Sequence, residues 1–99
     1  SELFKMTGDV TWAKRWYQDD MKAALLNLTH RPEAAPFCYE DAAKAARSIY
    51  EASNDISWAR RWHDAATRAA GLYERQGLTR NAARSQEKAA QARQYLETK

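Results

Sequence analysis

The chain contains a single cysteine, Cys38, and this scarcity limits both its cross-links and its setting. One thiol cannot form an intrachain disulfide, and a lone cysteine is typical of proteins kept in reducing compartments. We therefore expect a cytoplasmic protein in which Cys38 is a small apolar side chain or an unreactive loop thiol, not a catalytic nucleophile.

Long apolar runs are also missing, because the longest uninterrupted stretch of apolar residues is only a few residues long. A helix needs about 20 consecutive apolar residues to span a bilayer, and a secretory leader needs a shorter apolar segment of its own. We therefore predict no membrane span, no leader and no membrane partner.

Glycine and proline are scarce, with three and two residues respectively among 99. Few chain breakers and abundant Ala, Arg, Gln and Glu favour helix throughout. Hydrophobic residues make up 44% of the chain, but many of them are Ala, so four Trp, five Tyr and two Phe supply most of the apolar bulk. The composition predicts an all-α domain whose core depends on its aromatic side chains.

Net charge is low, at +3, although it is unevenly distributed. The first 49 residues carry seven basic and seven acidic side chains, whereas residues 50–99 carry nine and six. This excess is weaker than that of most nucleic-acid-binding proteins. Basic side chains recur every four residues on the last predicted helix, and this ridge makes nucleic acid the alternative partner, bound by Arg80, Arg84 and Lys88.

Patterns of catalytic and metal-binding residues are absent from the sequence. It contains no CxxC, HExxH or paired-histidine spacing, and His63 with Asp64 has no Ser or Cys placed to complete a triad. Asp19 and Asp20 are neighbours on one helix turn and cannot face each other across a cleft. We therefore expect no catalytic residues, no metal, no cofactor and no enzymatic activity.

What the chain does contain is an internal repeat. The residues DVTWAKRW, beginning at Asp9, return as DISWARRW at Asp55, 46 positions later, with five of eight positions identical. The same ungapped register aligns further pairs, including Ala24 with Ala70, Ala43 with Ala89 and Arg47 with Arg93. We interpret the chain as one helical domain, 1–99, built from a tandem duplication with units of about 9–53 and 55–99.

Each unit is predicted to form two helices, over residues 10–28 and 37–52, and again over 56–76 and 79–96. Asp9 or Thr11, and Asp55 or Ser57, are the candidate N-caps. Pro36 suits a first helical turn, and Gly77 suits the left-handed position that ends a helix. The fold prediction is a four-helix bundle or two stacked αα-hairpins, with Leu3-Phe4 matching the end of a second helix and serving as a candidate cap for the stack.

The duplicated tryptophans are the leading candidates for both core and binding roles. Trp12 and Trp16 are four residues apart, as are Trp58 and Trp62, so each pair shares one helix face. Packing between the repeats is the favoured interpretation of that face. The alternative is an exposed aromatic platform that holds a protein partner or stacks on nucleobases.

Charged residues near these tryptophans complete the candidate binding set. Asp19 and Asp20 lie at helical positions close to the Trp face, where the second unit has alanines, and they suggest an acidic notch. The predicted partner-binding residues are Trp12, Arg15, Trp16, Asp19, Asp20 and Arg61. The leading functional hypothesis is a non-enzymatic adaptor, regulator or inhibitor that binds another protein, and self-association into a homodimer is a further hypothesis.

Overall fold

The computed structural model describes residues 10–97, which form four α-helices. They are α1 (Val10–His30), α2 (Ala35–Ser53), α3 (Ile56–Arg75) and α4 (Thr79–Glu97). No strand occurs within residues 10–97, and the all-α prediction is confirmed. The predicted cap formed by Leu3 and Phe4 lies outside the described residues.

Local side chains and backbone geometry explain where α3 begins and ends. The Asp55 carboxylate accepts a hydrogen bond of 3.0 Å from the Ser57 amide, which satisfies a first-turn N–H that has no helical partner. At the other end Gly77 adopts a φ of 75°, and the Leu78 N–H donates to the Tyr73 carbonyl at 2.9 Å. This left-handed residue and its returning hydrogen bond are how helices commonly stop.

The four helices form two αα-hairpins that stack on each other. Extensive packing joins each helix to the next one along the chain, whereas α1 and α4 share no such interface within the described residues. Aromatic contacts then connect alternate helices: the ring centroids of Tyr17 and Trp58 are 5.1 Å apart, as are those of Tyr50 and Tyr95. Of the two predicted arrangements, this topology corresponds to stacked hairpins.

The core consists of alanines surrounding a few large rings. Trp58, Trp62 and Tyr50 are buried in one cluster, and Tyr39 and Tyr73 in a second. Ala side chains let helix backbones approach closely, and the rings then fill the space left beside them. The core is thus concentrated in α2 and α3, the two central helices of the stack.

Equivalent positions of the two hairpins can be compared directly. Helices α1 and α3 begin 46 residues apart, at Val10 and Ile56, which is the period of the sequence repeat. Four alanine pairs in this register are buried in both hairpins, namely Ala13 with Ala59, Ala24 with Ala70, Ala43 with Ala89 and Ala46 with Ala92. A common ancestry of the halves remains a prediction, but their inner packing is shared.

Candidate functional site

The two tryptophan pairs occupy different environments, and this difference locates the candidate site. Trp58 and Trp62 are only 8% and 2% exposed, whereas their counterpart Trp12 is 56% exposed and Trp16 is half-buried. Trp58 and Trp62 are therefore core residues, whereas Trp12 and Trp16 are only partly covered within the described residues.

The reason is the position of each helix in the stack. Helix α3 is flanked by α2, whose Arg47 guanidinium lies 5.3 Å from the centre of the Trp62 ring. No described helix precedes α1, so nothing within residues 10–97 covers the corresponding side of that helix. We call this side the α1 outer face, and it comprises Trp12, Arg15, Trp16, Asp19 and Leu26.

The α1 outer face forms a shallow concavity of about 390 Å³. The rings of Trp12 and Trp16 have centroids 5.9 Å apart and planes tilted by 47°. Arg15 and Asp19 complete the lining and place both charge signs beside the rings. Leu26, at 64% exposed, extends the apolar surface two turns further. Four of the six predicted partner-binding residues therefore meet in one concavity.

Asp20 lies beside this concavity without lining it. Its side chain is half-buried, and its Oδ2 atom is buried without a hydrogen-bond partner among the described residues. Burial raises the pKa of the Asp20 carboxyl, the negative charge of Asp41 raises it further, and a hydrogen bond with Trp16 opposes the rise. The predicted acidic notch thus separates into an exposed Asp19 and a partly enclosed Asp20.

Arg61 also lies away from the concavity. It extends from α3, and its guanidinium lies over the Trp58 ring at 4.4 Å from the centroid. Such stacking is a cation–π contact within one helix, since the two residues are three positions apart. Its counterpart Arg15 lines the outer concavity beside the exposed Trp12.

A buried carboxylate, which the sequence analysis did not single out, connects three helices. Glu40 on α2 is 6% exposed. It accepts a 2.5 Å hydrogen bond from the Tyr73 hydroxyl on α3 and bonds of 2.9 and 2.8 Å from Arg84 on α4. Lys88 adds an ion pair at 3.7 Å. The sequence signal for this buried carboxylate was the position of Glu40 on the α2 face that also carries alanines and tyrosines.

These contacts determine the protonation of the cluster. Burial disfavours the charged form of Glu40, but hydrogen bonds from Arg84 and Tyr73 and the charges of Arg84 and Lys88 outweigh it and lower its pKa to about 2. Burial and the hydrogen bond to Glu40 raise the pKa of Tyr73. Glu40 is therefore ionised and Tyr73 neutral at pH 7, an arrangement suited to joining helices.

Two of the three residues of the predicted basic ridge form ion pairs with Glu40 in this cluster. Arg84 and Lys88 both pair with Glu40, so much of their charge is balanced within the fold. Arg80 is exposed at the start of α4. The three residues therefore do not present three uncompensated charges along one side of the helix.

Two further grooves interrupt the described surface. One has a volume of about 350 Å³ and is lined by Leu28, Tyr39, Arg68, Gly71, Leu72 and Arg75. The other, which we call the α3–α4 end groove, has a volume of about 400 Å³, and its lining includes Thr67, Ala70, Glu74, Gln86, Ala90 and Arg93. All of its lining residues belong to α3 and α4.

Residues 10–97 contain neither a cluster of metal ligands nor a membrane-spanning helix. No group of three or more His, Cys, Asp or Glu side chains in that range is arranged to hold a metal ion. None of the four helices is both long and apolar enough to cross a bilayer.

Comparison with known proteins yields no relative. No protein-family model matches the chain, and neither the curated proteins nor the solved structures include a match.

Proposed function

We propose that this protein is a non-enzymatic helical-repeat protein that binds another protein, as an adaptor, regulator or inhibitor, through the α1 outer face. The observation that carries the proposal is the exposure of Trp12 at 56%, where the equivalent Trp58 is 8% exposed. The same residue type at the same repeat position is core in one hairpin and surface in the other.

Exposed tryptophan and leucine side chains on one helix side are unfavourable in water unless a partner covers them. Trp and Arg are also the residues that most often dominate the binding energy of protein interfaces. The α1 outer face combines Trp12, Trp16 and Arg15 around one concavity. Asp19 lines the same concavity, so a protein partner with an apolar contact surface that carries charges of both signs fits this combination.

The other parts of the proposal rest on the sequence. The absence of catalytic spacings supports a non-enzymatic role, and the single cysteine supports a cytoplasmic location. Nucleic acid is the weaker alternative, because Arg84 and Lys88 already compensate Glu40. Neutralising both would also disturb the fold, so a loss of nucleic-acid binding in such a variant would not identify a binding site.

Site-specific photo-crosslinking tests the proposal. A photoreactive residue replaces Trp12 on the outer face, and a matched variant carries it at the exposed Glu87 on α4. We expect discrete protein adducts from position 12 that are lost when Arg15 is also replaced by Glu. Identical adduct patterns from positions 12 and 87 would contradict the proposal, provided that both variants unfold at the wild-type temperature.

A further inference from the structure

Part of the lining of the α3–α4 end groove is the repeat counterpart of residues that contact α3 within the chain. Moving Thr67, Ala70, Gln86 and Arg93 back by 46 positions gives Met21, Ala24, Glu40 and Arg47. Those four residues, on α1 and α2, pack against or bond to α3. Met21 and Ala24 join core clusters with α3 side chains, Glu40 accepts the Tyr73 hydrogen bond, and Arg47 lies over Trp62.

The helix that fills the inner groove also has a counterpart. Helix α3 packs along α2 and contacts α1 through Tyr17 and Trp58, and its repeat equivalent is α1, whose outer face is uncovered within residues 10–97. One end of the stack thus presents an empty groove. The other end presents α1, the repeat counterpart of the helix that packs in the inner groove. The two surfaces are halves of an interface that already forms once within each molecule.

We propose that the α1 outer face is covered by a second copy of this chain, which receives α1 in its α3–α4 end groove. The inference rests on the proposed function, because it names the partner of the same surface. The contact is head-to-tail, so each molecule uses α1 in one contact and the end groove in the other. It differs from a closed homodimer, in which both molecules would use the same surface.

The internal interface specifies which side chains meet. Arg47 over Trp62 becomes Arg93 over Trp16 of the second copy, since both residues shift by 46 positions. Tyr17 against Trp58 becomes His63 against Trp12 of the second copy.

Charge also agrees with this pairing, at the position where the repeat is not conserved. Asp19 stands where α3 has the buried Ala65, so an anion enters the interface. The end groove contributes the cation Arg93, which is exposed in the single chain, whereas the Thr67 hydroxyl already donates to the His63 carbonyl. A carboxylate that replaces a buried methyl group is tolerated only beside such a cation.

Repeating a head-to-tail contact produces an open chain of molecules unless the rotation closes a ring. Each added molecule continues the stack of hairpins with the step that relates the first hairpin to the second. Sedimentation velocity over a wide concentration range therefore tests the proposal. We expect the wild-type protein to shift continuously from one chain to larger species as concentration rises.

Two variants, each damaging one surface, supply the decisive comparison. Arg93→Glu damages the end groove and leaves α1 intact, whereas Trp12→Glu damages the α1 outer face and leaves the groove intact. Each variant alone should associate at least about tenfold more weakly than wild type. Mixed in equal amounts they should form a one-to-one complex, because one intact groove remains for one intact α1. Arg80→Glu makes the same charge change on exposed α4 surface and should associate like wild type.

The outcomes separate this inference from the proposed function. Association that is lost in Trp12→Glu but unaffected in Arg93→Glu would overturn the head-to-tail contact while keeping α1 as a binding surface. A wild type that stays a single chain at every concentration would overturn the inference, and crosslinking from position 12 would still test the broader proposal. Association that begins only in a Leu3→Ala, Phe4→Ala variant would also overturn it and identify the amino-terminal residues as the cover.

Discussion

At the scale of single residues, the same side chain has different consequences in the two hairpins. Trp62 is enclosed by Arg47 of α2 and Tyr95 of α4, whereas Trp12 is more than half exposed. Removing a buried ring costs its transfer energy and leaves a cavity, but removing a half-exposed ring costs only the transfer energy of its covered part. Matched substitutions at repeat-equivalent positions therefore measure burial directly.

We predict that Trp58→Ala lowers the free energy of unfolding by about 3–5 kcal/mol. The matched substitution Trp12→Ala should change it by about 0.5 kcal/mol or less, since surface substitutions rarely do more. Urea unfolding at a low, equal protein concentration measures both values. Similar losses in the two variants would show that the first hairpin buries its tryptophans as the second does.

Glu40 makes the stability of the folded chain depend on pH. Its pKa is about 2 in the folded chain, against an ordinary value of 4.5. Between these two pH values the unfolded chain binds more protons at Glu40 than the folded chain does. The stabilisation that Glu40 contributes is therefore present in full above about pH 4.5 and is lost as the pH falls toward 2. At pH 7 the ionised carboxylate joins α2 to α3 and α4.

We predict that Glu40→Gln destabilises the protein by about 1–3 kcal/mol at pH 7, because charged hydrogen bonds from Arg84 and Tyr73 are weakened. The variant should also lose part of the decline in stability between pH 4.5 and 2. Urea titrations at several pH values measure both effects. The exposed Glu87→Gln is the control, and an equal change in that variant would show that Glu40 has no special role.

At the scale of elements, local sequence predicted the helices well. Asp55 was predicted as an N-cap and Gly77 as a terminator, and both are confirmed. These signals involve only neighbouring residues, so a single sequence is enough to recognise them. The Glu40 cluster was missed because its partners are 33 and 44 residues away, and only the stacking of helices brings them together. The exposure of α1 was indicated only by Asp19 and Asp20, which stand where the second unit has alanines.

We predict that two Gly→Ala substitutions near the end of α3 change the stability of the protein in opposite directions. Gly77 has a φ of 75°, so Gly77→Ala should destabilise the protein by about 1 kcal/mol. Gly71 lies within the helix, with no atom within 4 Å of an added Cβ, so Gly71→Ala should stabilise it by about 0.5–1 kcal/mol. Thermal unfolding compares them, and equal shifts would contradict the assigned helix end.

At the scale of the whole molecule, the stack has two unequal ends. One end carries the α1 outer face, and the other carries the α3–α4 end groove. The two central helices hold most of the buried rings, so the ends can bind partners without contributing much to the core. A molecule of this kind extends by adding hairpins, and binding at its ends stabilises the folded state by mass action.

We predict that the unfolding temperature of the wild-type protein rises with protein concentration, because assembly stabilises the folded chain. In Arg93→Glu the temperature should be independent of concentration and equal to the wild-type value at high dilution. Differential scanning fluorimetry across a hundredfold dilution series measures the unfolding temperatures. A hundredfold change in concentration corresponds to about 3 kcal/mol of association free energy. A flat wild-type series would remove the thermodynamic basis for assembly.

Solvent exposure of the four indole N–H groups tests the central claim most directly. NMR with a soluble paramagnetic agent attenuates signals in proportion to their access to solvent. At high dilution we predict strong attenuation for Trp12 and protection for Trp58 and Trp62, and at high concentration we predict that Trp12 becomes protected. A Trp12 signal as protected as that of Trp58 in the most dilute sample would contradict the uncovered α1 face.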